Sequence, residues 1–65
     1  MYELFEEILD ERNLTAYRVA KEAGVDKQVL SNWKHGRSVP SFINMAKIAR
    51  FLGISLDEFA KVVLS

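Results

Sequence analysis

Apolar residues recur along this chain at spacings of three and four, and no long stretch alternates apolar with polar as a half-buried strand would. That spacing predicts helices throughout and no half-buried strand. A first helix runs from about Tyr2 to Arg12, with Phe5, Ile8 and Leu9, helped by Leu4, on its inner face and Asn13 as a left-handed stop. Thr15 is a good N-cap for a second helix, which carries Val19, Ala20 and Ala23 inward and ends at Gly24. Asp26 caps a third, in which Leu30 and Trp33 share one face and Gly36 marks the end. "GRSVPS" reads as a loop, because Pro40 cannot continue a helix; Ser41 then caps a fourth. Its expected buried stripe is Phe42, Met45, Ile48, Ala49 and Leu52, and Gly53 ends it. "SLDE", Ser55 to Glu58, is a capping box opening a fifth helix that carries Leu56 and Phe59 inward. Five short helices with short connections predict an all-α fold, a small orthogonal bundle forming one domain over residues 1–65.

Composition narrows the possibilities. A chain of 65 residues buries only about 60% of its unfolded surface, so its stability is modest. With no cysteine and a single histidine, disulfides and a metal site are not expected, and the fold must rest on apolar packing. No apolar run approaches the roughly 20 residues of a membrane span, and the acidic start "MYELFEEILDER" does not suit a secretory signal. A cytoplasmic setting is the simplest fit.

Formal net charge is zero, which on its face argues against a polyanionic partner. The distribution changes that picture. Between Lys27 and Arg50 stand Lys27, Lys34, Arg37, Lys47 and Arg50 together with His35, and no Asp or Glu. All nine acids lie outside this window. A neutral sum can therefore conceal a dipolar molecule with a basic face, and local sign matters more than the total for nucleic acid.

The second helix, the turn at Gly24 and the third helix have the spacing of a helix-turn-helix. Two helices crossing sharply need a small residue where their backbones approach, and Ala20 sits one turn before Gly24. Gly24 supplies the positive φ that ends the second helix, and Val25 fills the corner. With Leu30 and Trp33 turned to the core, Lys27, Gln28, Ser31, Asn32 and His35 point outward. Glutamine and asparagine can pair bidentately with the N6 and N7 edge of adenine, and lysine can reach guanine O6 or N7.

Val19, Ala20, Gly24, Val25, Leu30, Trp33, Gly36, Pro40, Ile48, Ala49, Leu52, Gly53 and "SLDE" together resemble the phage repressor and Cro-like family of helix-turn-helix proteins, also called the xenobiotic-response-element type. The similarity extends from about Phe5 to Phe59. It implies a five-helix lambda-repressor-like DNA-binding domain, bacterial or phage-encoded, whose third helix enters the major groove of double-stranded DNA, usually as a symmetric dimer on a palindromic operator. It places Lys27, Gln28 and Asn32 at the family's base-reading positions, with Ser31 beside them. Phosphate contacts are expected from Thr15, Ala16 and Tyr17 at the start of the second helix, through backbone N–H groups and a hydroxyl. Arg37, Ser38 and Ser41 face the DNA strand in family complexes, with Lys34 and His35 nearby.

The chain departs from the family pattern at three positions. Ala16 stands where the family commonly has a DNA-touching glutamine, so the link that orients the neighbouring reader is missing. Leu9 and Lys34 occupy the places of a frequent Arg–Glu pair. Losing both halves avoids stranding a buried charge and frees Lys34 for phosphate.

Ile43 and Phe51 are apolar where the family is often polar, and the chain ends in "VVL". A homodimer surface is expected from Phe51, Leu56, Val62, Val63 and Leu64; a plug for the core at the C-terminal end is the competing reading. The leading functional expectation is a sequence-specific transcriptional regulator of the repressor kind, either stand-alone and Cro-like or the DNA-binding part of a longer repressor. The alternative is an antitoxin-type protein-interaction module on the same fold. An enzyme is not expected: Ser31 and His35 lie one turn apart, but no acid orients them. No cofactor, metal or small-molecule substrate is implied.

Overall fold

A computed structural model describes residues 1–65, and all its regular structure is helical: α1 (Tyr2–Glu11), α2 (Ala16–Ala23), α3 (Lys27–Lys34), α4 (Phe42–Leu52) and α5 (Leu56–Leu64). The starts of α2 to α5 each have a local chemical cause. The Thr15, Ser41 and Ser55 hydroxyls accept the backbone N–H groups of Arg18, Asn44 and Glu58, and the Asp26 carboxylate accepts that of Gln28. These caps satisfy donors that a helix start leaves orphaned. The Ser55 hydroxyl also donates to Glu58 Oε1 at 3.4 Å, so the fifth cap joins both side chains. Asn13 takes φ +55° after α1, as a left-handed stop must.

Gly24 closes α2 at φ +77°. A β-carbon added there would meet no atom within 4 Å, so the glycine is required by backbone conformation and not by crowding. The turn is held by the Val25 N–H donating to the Ala20 carbonyl at 2.9 Å. The Lys47 ammonium reaches the Gly24 carbonyl from α4 at 3.5 Å.

The core holds Phe5 and Leu9 from α1, Val19 and Ala20 from α2, Leu30 and Trp33 from α3, Ile48, Ala49 and Leu52 from α4, and Phe59 from α5. Four rings join three helices: Trp33 lies 5.1 Å from Tyr2, 5.2 Å from Phe5 and 6.1 Å from Phe59 between ring centroids. Its indole N–H is enclosed and finds no acceptor, a cost of about 1–3 kcal/mol that ring packing must offset. α2 packs on α3 and α4, while α5 packs on α4 and α1. The Arg12 guanidinium, at the end of α1, donates to the Leu52 carbonyl and so satisfies an orphan acceptor at the end of α4.

The core differs from the periodic reading at five places, one of them Leu56, which is expected inward but is half-buried and outside the core cluster. Tyr2 is buried and extends the α1 stripe one turn towards the N-terminus, whereas Leu4 is 39% exposed. Phe42 is 66% exposed: the α4 stripe outruns the body it covers, and Pro40, two residues earlier, is the buried residue at that end. Val63, expected at a partner surface, is 5% exposed and lies in the core with Phe59, one helical turn before it. It acts as the plug, and within this fold it is not offered to a partner. Phe51, Leu56 and Val62 are half-buried, and Leu64 is fully outside.

Candidate nucleic-acid interface

Burial of Leu30 and Trp33 on α3 sets the opposite flank outward. Lys27 and Gln28 are exposed; Ser31 and Asn32, one turn on, are half-buried. The Gln28 side-chain NH2 donates to Asn32 Oδ1 at 3.1 Å, and the Arg37 guanidinium donates to the same oxygen at 3.4 Å. Asn32 is thus a hub between the Gln28 amide and a cation of the following loop. The arrangement gives the two amides different chemistry. Gln28 keeps its carbonyl oxygen and one N–H free, the pair that adenine N6–H and N7 require. Asn32 has its oxygen engaged and presents only its NH2, which suits an acceptor such as guanine O6 or N7 or thymine O4. The missing glutamine at position 16 does not leave Gln28 unsupported, because Asn32 orients it from within α3.

The phosphate candidates fall into two sets. The first borders an open groove of about 380 Å³ between α2 and α3. Ala16 and Tyr17 line it from α2; Lys27, Gln28, Ser31 and Lys34 line it from α3, with His35 just past the end of that helix; Leu30 and Tyr2 complete its wall. Thr15 stands at the α2 start and spends an oxygen lone pair on the Arg18 N–H, leaving its hydroxyl hydrogen to donate. Only the first N–H groups of α2 remain without helical partners, and an anion is favoured there by the helix dipole. The His35 Nδ1–H donates to the Ser31 carbonyl at 2.8 Å. A neutral His35 ring then presents a bare Nε2 lone pair, so it can donate to phosphate only when protonated.

The second set, Arg37, Ser38 and Ser41, lies beyond α3 and is exposed. The loop folds back through the Arg37 N–H, which donates to the Asn32 carbonyl at 2.8 Å. The Ser41 hydroxyl accepts the Asn44 N–H at 3.2 Å as the α4 cap and can still donate outward.

The basic window in the sequence does not form one face. Lys27 and Lys34 border the α2–α3 groove, whereas Lys47 and Arg50 border a separate depression with Glu22, Ala23 and Phe51. The run is split between α3 and α4, so the charge available to a polyanion beside α3 is smaller than the linear count implies.

Tyr2 is the residue of this region that periodicity missed. Its placement three before Phe5 and seven before Leu9 was the available signal. Burial, and then the nearby Glu6 carboxylate, raise its pKa above the ordinary phenol value, so the group stays a neutral hydroxyl at physiological pH. No grouping of three or more His, Cys, Asp or Glu side chains is placed to hold a metal ion. No helix is long and apolar enough to cross a membrane.

A family model described as helix-turn-helix matches residues 5–59. No curated protein and no solved structure matches the chain. The family match covers most of the sequence, reaches from within α1 into the first turn of α5, and contains the whole capped α2–turn–α3 unit whose amide-bearing flank is outside. The chain belongs to the Cro/C1-type helix-turn-helix family, that of the phage repressors and Cro-like proteins, and is a DNA-binding transcription regulator of that type.

Proposed function

We propose that the protein is a cytoplasmic repressor that occupies a palindromic operator as a homodimer, with α3 in the major groove. Lys27, Gln28, Ser31 and Asn32 read base edges. Thr15, Ala16, Tyr17, Lys34, His35, Arg37, Ser38 and Ser41 engage the backbone. The observation that carries this reading is the outward Gln28–Asn32–Arg37 chain, in which one base-reading amide is held by another that is tied to a cation. A solvated helix face has no need of such ordering. For a reader held in place before binding, less side-chain entropy is lost on contact.

Salt titration tests the DNA reading. Affinity for a duplex selected from a random pool should fall steeply as salt rises, because each neutralised phosphate releases counterions. Arg37→Ala should weaken selected and unselected duplexes and lower the salt slope by about one. It also removes a donor from Asn32, so a modest further loss on the selected duplex is expected. Salt-independent binding, or an Arg37 variant that binds unselected duplexes as well as the wild type, would count against a phosphate contact at this position.

Two-fold symmetry requires readers about 34 Å apart, and the dimer surface proposed here joins Phe51, Leu56, Val62 and Leu64. Sedimentation of the protein on a full operator should give two chains per duplex, and Phe51→Asp should reduce this to one chain at the same protein concentration. The antitoxin-type reading draws on a different observation: Val39, Phe42 and Ile43 leave three large apolar side chains more than half exposed near the start of α4. If Ile43→Asp abolished a complex with another protein while operator binding survived, that second reading would gain ground.

A further inference from the structure

Tyr2 precedes the segment matched by the family, residues 5–59, so membership assigns it no role. Its ring is 8% exposed and packs edge-on against Trp33, 5.1 Å away, and Phe5, 5.5 Å away. The hydroxyl makes no hydrogen bond within the chain, and it is not enclosed, since the only enclosed polar side-chain atom without a partner is Trp33 Nε1. What little of Tyr2 reaches the surface borders the α2–α3 groove, beside Ala16, Tyr17, Lys34 and His35.

We infer that the Tyr2 hydroxyl is a DNA-backbone contact, donating to a phosphate seated in that groove between the start of α2 and the second half of α3. The inference rests on the DNA-binding reading and extends it to a helix outside the helix-turn-helix unit. A phosphate oxygen only accepts, and the surrounding donors are the unpaired N–H groups at the start of α2 and the Lys34 ammonium. A phenol on a ring already fixed by Trp33 and Phe5 adds a donor without a long side chain to order on binding. A phenol is protonated near neutral pH, and burial and then Glu6 only raise its pKa further, so the donor persists. The contact also couples the reading helix to α1, since the ring that touches the backbone is the ring that packs on Trp33.

Tyr2→Phe tests this, because it keeps the ring and removes only the oxygen. The variant should melt at the wild-type temperature and bind a selected duplex about five- to tenfold more weakly. The loss should be equal on unselected duplexes, since a phosphate contact carries no sequence information. Its salt slope should match the wild type, because a neutral donor displaces no counterion, whereas Lys34→Ala should lower the slope by about one. If Lys34→Ala behaves in this way while Tyr2→Phe binds as tightly as the wild type, the contact is wrong and Tyr2 only packs. If the wild type binds no duplex, the DNA reading itself fails and the contact falls with it.

Discussion

Trp33→Ala is expected to leave the domain largely unfolded at room temperature. The indole is 3% exposed and packs against the rings of Tyr2, Phe5 and Phe59. Its removal therefore loosens α3 from both α1 and α5, which stay joined through Phe5 and Phe59. Truncating a buried Trp or Phe to Ala costs about 3–5 kcal/mol. At roughly 0.05–0.15 kcal/mol per residue, a chain of 65 residues holds only about 3–10 kcal/mol in total. The loss is therefore comparable with the whole stability, and no cysteine or metal grouping stands in reserve. Trp33→Phe should be far milder, because it keeps a ring in the cluster and removes the unpartnered indole N–H. Thermal melts followed by far-ultraviolet circular dichroism check both. An alanine variant melting within a few degrees of the wild type would show that the aromatic cluster does not hold the helices together.

Asn32→Ala should produce the largest loss of operator affinity among variants that still fold. Asn32 is half-buried and outside the core, so the helix itself should survive. Three things go at once: a donor to a base edge, the oxygen that orients Gln28, and the oxygen that holds Arg37. A good bidentate base contact discriminates by about 1–3 kcal/mol, which is about 5- to 150-fold in affinity; Asn32→Ala removes one donor and also unseats the bidentate Gln28, so a loss within this range is expected. Gln28→Ala should cost less and relax preference at one base position, because Asn32 and Arg37 stay joined. The double variant should lose less than the sum of the two single losses, since the residues act through one hydrogen bond. Titration against the selected duplex and its single-base variants measures this. Strict additivity of the two changes would show that the Gln28–Asn32 bond plays no part in reading.

How much of the site could be read before folding depended on the range of the interactions involved. The flank of α3 that faces outward followed from Leu30 and Trp33 alone, because two buried anchors three apart fix the rotation of a helix. The division of labour between Gln28 and Asn32 did not follow. Both are amides with the same capacities, and only the approach of Arg37 from the loop decides which oxygen is occupied. The basic window misled in a similar way: a run that is continuous in sequence is split between α3, whose Lys27 and Lys34 border one groove, and α4, whose Lys47 and Arg50 border another. Tyr2 was hidden because one aromatic at a chain start says nothing about the indole that lies over it.

Helix limits and the orientation of the α2–α3 unit were written in the chain itself. A cap such as Thr15 or Ser41, or a left-handed glycine such as Gly24, acts within one turn of its own position and needs no distant partner. Which apolar residues are covered was decided only by the assembled bundle. Phe42 and Val63 fit their helical stripes equally well, yet the first lies in the open beyond Pro40 and the second is sealed beside Phe59. The same holds for the Arg12 guanidinium on the Leu52 carbonyl and for the Tyr2 ring on Trp33. Periodicity states which way a side chain points along its own axis; only packing determines whether another helix is there to meet it.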